Sequence, residues 1–541
     1  MPDTDEHRDL QTDDLLWWQK GVVYQVYPRS FLDSTGDGVG DLPGITQRLD
    51  YLAWLGVDAV WVSPFYPSPM ADFGYDVSNY TDVHPMFGTL VDFDRLVAEA
   101  HARGLRVILD WVPNHTSQEH PWFLESRSSR TNPRRDWYIW RDPSPSGGPP
   151  TNWLGFFGGS AWELDEATGQ YYYHAFLPEQ PDLNWRNPDV QSAMLDTLRF
   201  WLDRDVDGFR VDVIYHLLKD DQFRDNPLNP DYKVGDRPYT QHLPIHSADL
   251  PDVQAVVSMI RKVVDEYPQR VLIAELYLPL ERIVAYYGVD GSGAHLPFNF
   301  RLIFTPWDAQ QIGALVDQYE GLLPPGGQPN WVLGNHDKSR IATRVGPAQA
   351  RVAAMLLTTL KGTPTMYYGD EIGMHDVRIP PELLQDPVAR SLPGLGLDRD
   401  PQRTPMQWGA GANAGFTNGT PWLPIADDFA QINVEDQRED PASLLTFYRS
   451  LIQLRRDEPA LHAGTYERAP AAGDVLAYLR AGVGRGFLVA LNLGSQPQPF
   501  EHGRLEAEAR VTLSTLPDRS LGPTAGPITL APNEGVILEL R

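Results

Sequence analysis

The chain has 541 residues, a length that fits about three or four domains. Lysine and arginine total 45 against 72 aspartates and glutamates, a formal net charge of −27, which excludes nucleic acid and anionic lipid as electrostatic partners. Cysteine is absent, so disulfides, thiolate metal sites and cysteine nucleophiles are excluded too.

From the front, Met1 to Asp14 is acidic and polar, without the basic and apolar regions of a secretory leader. No apolar run reaches the ~18 residues of a membrane span. The most apolar stretch, Val271 to Tyr287, is broken by Glu275, Glu281 and Arg282. A soluble, cytoplasmic protein is the expectation. Val22 to Tyr27 is β-branched and aromatic and predicts a strand. Ile45, Leu49, Leu52 and Leu55 recur at helical spacing before Gly56. Ala59–Val62 is a second strand; Phe93, Leu96, Val97 and Ala100 mark a second helix; Val107–Leu109 is a third strand. Short apolar strands alternating with helices mean parallel pairing with both faces covered.

From His115 to Asn184 the rhythm stops, and Trp, Tyr, Pro, Gly and Asn dominate. A stretch this long predicts a small inserted domain rather than a loop. A helix near Val190–Asp203 and strands at Gly208–Val213, Val271–Ala274, His295–Phe300, Trp331–Gly334 and Thr365–Tyr368 bring the strand count to eight. The fold class is therefore α/β, a (β/α)₈ TIM barrel, with 217–250 and 374–433 as long loops over one face. Leu444–Leu454 is an amphipathic helix. After Gly464, strands at Val475–Arg480, Phe487–Leu493, Val511–Ser514, Ile528–Leu530 and Val536–Leu540 predict an antiparallel β-sandwich. The domain division is barrel 1–114 and 185–463, insertion 115–184 and sandwich 464–541.

In such a barrel, functional groups gather at the C-terminal strand ends. The third strand ends in Asp110, followed by Asn114 and His115. The fourth carries Arg210 and Asp212, the fifth ends in Glu275, and the seventh ends in Asn335-His336-Asp337. One Asp after a strand is ordinarily a helix cap, and Asn-His-Asp is as readily a turn. The joint placement is what counts. Without cysteine, phosphate loop or serine elbow, the remaining fit is paired-carboxylate chemistry on a glycosidic bond. Asp212 shares a strand face with Arg210, whose guanidinium is expected to keep it ionised, as a nucleophile needs. Glu275, after apolar Leu272-Ile273-Ala274, is expected to hold a proton, as a general acid needs.

Asp110–His115, Gly208–Asp212, Ile273–Glu275 and Asn335–Asp337 resemble, in order and spacing, the motifs of the α-amylase superfamily, glycoside hydrolase family 13. Within it, the chain from Trp17 onward resembles the α-glucosidase and oligo-1,6-glucosidase branch. Ala274 departs from the usual Gly before the acid. The resemblance implies Asp212 as nucleophile, Glu275 as acid/base and Asp337 as transition-state stabiliser. It implies Arg210 as the orienter of Asp212, and His115 and His336 as ligands of the −1 sugar. Asp72 and Tyr75 resemble the pair gripping the non-reducing glucose. Arg403 resembles the arginine that pairs with that Asp, with Arg399 one helical turn earlier as support. Such a clamp would make the enzyme exo-acting. Phe157, Phe176 and Gln180 fall where the family lines its +1 region, although core packing would explain the two aromatics as well. Gln180–Asn184 is the branch marker, and Val213 after Asp212 resembles α-1,6-active members.

Asp33, Thr35, Asp37 and Asp41 place oxygens at alternate positions of a glycine-rich loop, with the Val39 carbonyl between them, as a hard cation requires. The resemblance implies a structural Ca²⁺, or Mg²⁺, there, with Thr35 replacing the family's Asn. Two enzymatic outcomes stay open. One is glucosidase hydrolysis favouring isomaltose-like substrates; the other is glucosyl transfer or sucrose- or trehalose-acting isomerisation with the same residues. A non-catalytic transporter-subunit reading would need a membrane span and lost carboxylates, and neither is seen. Oligomeric state is not legible.

Overall fold

The computed structural model describes residues 15–392, 398–482, 484–505 and 509–540; the leader assessment of Met1 to Asp14 lies outside them. Eight parallel strands close a barrel: β1 (Val23–Val26), β2 (Ala59–Val62), β3 (Arg106–Trp111), β4 (Gly208–Val211), β5 (Val271–Ala274), β6 (Leu296–Asn299), β7 (Asn330–Val332) and β8 (Thr363–Tyr367). Each pairs with its successor, and β1 closes on β8 with Val23 opposite Thr365. Period two sorts the strand residues. Val23, Ala59, Trp61, Ile108, Val271, Ile273, Phe298 and Val332 fill the interior in one cluster. Tyr24, Val60, Val107, Leu109, Phe209 and Leu272 face the surrounding helices in another. Gly208 is required because a Cβ there would stand 2.3 Å from the Val271 carbonyl oxygen of the next strand.

The helices follow the sequence pattern. Leu90–Ala102 opens on a capping box: Asp92 N–H donates to the Thr89 hydroxyl, and Thr89 N–H donates to the Asp92 carboxylate. The predicted run from Ile45 to Leu55 is two helices, Leu42–Gln47 and Leu49–Leu55, separated at Arg48. Between β3 and β4, Trp140–Arg141, Trp162–Asp165 and Gln170–Tyr173 form a three-stranded antiparallel sheet. Asp182, inside the branch marker, pairs with Lys219 beyond β4 and accepts from Asn114 beyond β3, tying this segment to the barrel.

The C-terminal part is antiparallel: β9 (Thr465–Ala469), β10 (Val475–Ala481), β11 (Gly486–Asn492), β12 (Gln498–Phe500), β13 (Ala509–Ser514), β14 (Gly522–Thr524), β15 (Ile528–Leu530) and β16 (Gly535–Leu540). Six of these form a sheet in the order β9-β10-β11-β16-β13-β14, faced by the pair β12-β15. Alternation again divides the residues. Val475, Ala477, Leu488, Val511 and Leu538 meet Phe500, Ile528 and Leu530 between the two sheets. Leu476, Tyr478, Phe487, Val489, Leu491 and Ile537 join the core of the barrel helices. Among the described residues, no helix is long and apolar enough to cross a membrane.

Candidate active site

The inward phase of the strands continues past the apolar interior into charge. Ile108 is followed two residues on by Asp110, Gly208 by Arg210 and then Asp212, and Ile273 by Glu275. These four side chains meet at the C-terminal mouth. Arg210, fully buried, donates from Nη1 to Asp110 Oδ1 (2.6 Å) and Asp212 Oδ1 (2.8 Å). Its Nη2 stands 2.5 Å from Glu275 Oε1. Glu275 Oε2 accepts the Val213 N–H at 3.0 Å. Val213 makes that bond with φ of 36°, a left-handed conformation costing a β-branched residue about 1–3 kcal/mol.

One guanidinium facing three buried carboxylates cannot balance them, so the cluster retains a proton. Burial, then the Glu275 charge, push Asp212 up well above the usual carboxylate range despite Arg210. Burial likewise raises Asp110 to about 7. This corrects the expectation that Arg210 alone would hold Asp212 ionised. It also corrects the apolar setting assigned to Glu275: hydrocarbon lies below it, but its carboxylate meets Arg210.

A second chain of bonds crosses the mouth. Gln25 donates to His336 Nδ1 (2.8 Å), which leaves the proton of the neutral ring on Nε2, facing the Tyr75 hydroxyl at 2.8 Å. Tyr75 in turn donates to Asp110 (3.0 Å). The His336 ring lies between Tyr75 and Tyr27, nearly parallel to both at 5.5 and 5.7 Å. Burial depresses His336 to about 3 and His115 to about 4, so both rings are neutral at ordinary pH. The Asn335 side chain accepts the Asp337 N–H, so Asn-His-Asp is both a turn and part of the site.

Asp337 accepts from Arg403 Nη2 at 2.7 Å, with Arg399 3.5 Å away. Burial would raise it, but the Arg403 and Arg399 charges win and hold it far below the usual range. The partner of Asp72 is Arg399 (2.7 Å), which Asp386 anchors from behind. The expected Asp72–Arg403 pairing is therefore corrected. Arg403 follows a one-turn helix (Asp400–Gln402) that aims it at His336 O and Asp337, while Arg399 precedes that turn and faces Asp72. Gln180 donates to Asp72 (3.3 Å) and meets His115 (3.1 Å), so it stands with the clamp rather than further out.

Asp72, Tyr75, His115, Gln180, Asp212, Glu275, Asp337 and Arg399 line the inner end of a cavity of about 890 Å³, which also takes in Val213, Phe157 and Phe176, while Asp110, Arg210, His336 and Arg403 stand behind this lining. The loop beyond β4 supplies its outer wall through Arg237, Tyr239 and Ile245. A pocket with one closed, charged end and a broad outer part suits a ligand with one small polar terminus. The family model described as alpha amylase, catalytic domain, matches residues 25–464.

The chain belongs to the alpha-amylase family. A probable alpha-glucosidase of Rhizobium meliloti (strain 1021) is 44% identical over 484 residues, covering 86% of this chain and 87% of that protein. An oligo-1,6-glucosidase of Heyndrickxia coagulans is 39% identical over 525 residues, covering 90% and 93%. Among solved structures, an alpha-glucosyl transfer enzyme, XgtA, superposes with a TM-score of 0.93 at 41% identity, covering 98% of this chain and 100% of that one. This alpha-amylase family member is a glycoside hydrolase.

Sequence reasoning left several of the enzyme's cavity residues unassigned. Asp110, placed with the strand-end acids but given no role, accepts from three donors. Its inward strand phase was the available signal. Asp386, Tyr277, Arg237 and Lys338 reach the site from irregular segments, where no periodicity marks them.

The loop at 33–41 offers hard oxygens but uses them internally. Asp33 accepts from the backbone of Thr35, Gly36 and Gly38 and from the Thr417 hydroxyl. Asp37 accepts from Val39 N–H, and Asp41 from Ser34 and Gly44. No group of three carboxylate or imidazole side chains stands together as a metal cage among the described residues. The donor chemistry fits a hard cation.

Proposed function

We propose that the enzyme is a retaining, exo-acting α-glucosidase that releases glucose from the non-reducing end of short α-glucosides, with α-1,6 linkages favoured. The observation that carries this reading is the joint grip of Arg210 on Asp212 and Glu275 beside the Asp72–Arg399 clamp. Two carboxyls held by one guanidinium favour the close spacing of a retaining pair, about 5–5.5 Å, over the roughly 6.5–9.5 Å of an inverting one. Asp212 attacks the anomeric carbon as the glycosidic C–O bond breaks, and Glu275 gives its proton to the leaving oxygen. Water then gives a proton to Glu275 as its oxygen displaces Asp212, releasing glucose. Asp337, held by two arginines, faces the positive charge that develops on the ring. The clamp closes the far end of the pocket, which supports exo action. Val213 on the cavity wall supports α-1,6 preference.

The test is a panel of isomaltose, maltose, sucrose and trehalose assayed for glucose, with Asp212→Asn as control. Isomaltose is expected to lead, and Asp212→Asn to lose turnover with its melting temperature kept. An active Asp212→Asn sinks the nucleophile role. Glucosyl transfer is the second reading, favoured by the apolar side chains of the outer wall, such as Tyr239 and Ile245, which can hold an acceptor against water, and by the likeness to XgtA. Transfer products at high substrate concentration would mark it.

A Ca²⁺ or Mg²⁺ ion in the 33–41 loop is part of the proposal. The side chains of Asp33, Thr35, Asp37 and Asp41 and the Val39 carbonyl are its ligands, with a structural task. EDTA should then lower Tm by several degrees and added Ca²⁺ restore it; an unchanged Tm removes the ion.

A further inference from the structure

Five lysine and arginine side chains line the cavity: Arg237, Arg282, Arg301, Lys338 and Arg399. Arg399 is paired with Asp72 and Asp386, and Arg282 with Asp249. For Arg237, Arg301 and Lys338 no carboxylate lies within ion-pairing distance among the described residues. The cavity's carboxylates are already engaged, Asp212 and Glu275 by Arg210, Asp337 by Arg403, Asp249 by Arg282 and Asp72 by Arg399. Three cations thus stand without a carboxylate at ion-pairing distance in the outer part of this pocket, while at its inner end Arg210 alone serves Asp110, Asp212 and Glu275.

Lys338 is the most telling of them. It follows Asp337, so the turn that delivers Asp337 to the inner site delivers the ammonium to the outer one. Its Nζ lies 4.9 Å from the Tyr277 ring centroid and 5.3 Å from that of Phe304, rings that steer a cation but do not neutralise it. Arg237 is held similarly, 5.4 Å over Phe156. Burial, and after it the charge of Arg237, bring Lys338 down to about 8 against the pull of the Asp337 and Glu275 charges, so it is still mainly protonated at neutral pH. Keeping unpaired cations together and partly desolvated is unfavourable unless an anion completes them.

We propose that the aglycone side of this cavity receives an oxyanion, a carboxylate or phosphate on the leaving group of the α-glucoside, bound by Lys338 and Arg237 with Arg301 at the rim. This deepens the α-glucosidase reading and rests on it. The anion would lie beyond the scissile bond and take no part in the proton transfers at Glu275.

The test compares two substrate pairs at low salt: isomaltose with its aldonate, and maltose with maltose phosphorylated on the reducing unit. The anionic member should exceed its neutral partner in kcat/KM by about tenfold or more in at least one pair, the size expected of charge-assisted hydrogen bonds. Whichever pair responds identifies carboxylate or phosphate. Lys338→Gln and Arg237→Gln should each reduce that ratio several-fold, with folding checked by thermal melting. Ratios at or below one in both pairs overturn the inference and leave the α-glucosidase reading standing. A preference untouched by either variant also overturns it. Turnover of none of the four substrates overturns both readings.

Discussion

Arg399 and Arg403 are four residues apart, and the structure gives them different work. Arg399 holds Asp72, the group proposed to grip the non-reducing glucose, while Arg403 holds Asp337, the group proposed to act on the transition state. A guanidinium presents a rigid fork that lysine does not reproduce. Arg399→Lys should therefore act on binding, raising KM about tenfold with kcat little changed. Arg403→Lys should lower kcat and kcat/KM together. Steady-state kinetics on isomaltose decides; the reverse pattern would restore Arg403 as the partner of Asp72. The residue-scale lesson is that a local motif reveals which side chains belong to a site before it reveals who touches whom. Arg399 and Arg403 were both legible, yet their partners are set by a one-turn helix that no periodicity marks.

Helix Pro121–Ser128, in the segment inserted after β3, carries an unusual cap: His120 Nδ1 accepts the Trp122 N–H at 3.1 Å. Burial depresses His120 from its ordinary value to about 3. The unfolded chain takes up a proton as pH falls below about 6.5, while the folded chain stays neutral until about 3. This contribution to stability is complete above the unfolded value and declines through that window, by about 1.4 kcal/mol per pH unit. Asparagine caps without titrating. Between pH 7 and pH 5 the unaltered protein should lose about 2 kcal/mol relative to His120→Asn, measured by urea unfolding. Equal pH dependence would remove the claim. Strands were legible where runs were β-branched or aromatic, as in Ala59–Val62 and Val271–Ala274. They escaped notice at β9, with Glu467 and Arg468 in its middle, and at β12 and β14, which carry Pro499 and Pro523. These strands are ordered by pairing with neighbours, which a single sequence does not display.

At the scale of the molecule, the C-terminal sheet is a wall of the barrel as well as half of a sandwich. Leu476, Tyr478, Val489 and Ile537 share the barrel helices' core. Arg480 reaches from the C-terminal sheet to the Thr359 carbonyl, and Arg455 of helix Leu444–Asp457 to that of Thr358, at the end of helix Pro347–Thr359, where orphan carbonyls need donors. A chain stopped after Ala463 would expose that apolar face and leave the Thr359 carbonyl without Arg480. It should be recovered as aggregate, and a soluble, active fragment would contradict the shared core. The strand count and the strand-end acids were legible because both follow from period two. The sharing of one core was not, because outward-facing apolar residues look alike whatever covers them.

The closure of β1 on β8 has a consequence for synthesis. Tyr24 on β1 and Glu371 just past β8 are 347 positions apart in the chain and bonded to one another in the fold. At the roughly 5–20 residues per second of a ribosome, β1 waits on the order of twenty seconds to more than a minute for the strand that completes its sheet. Through that interval both edges of the growing sheet lie open, a template for the wrong neighbour. The nascent enzyme is therefore a natural client for chaperones, and its yield in a cell should depend on their supply more steeply than its final stability does.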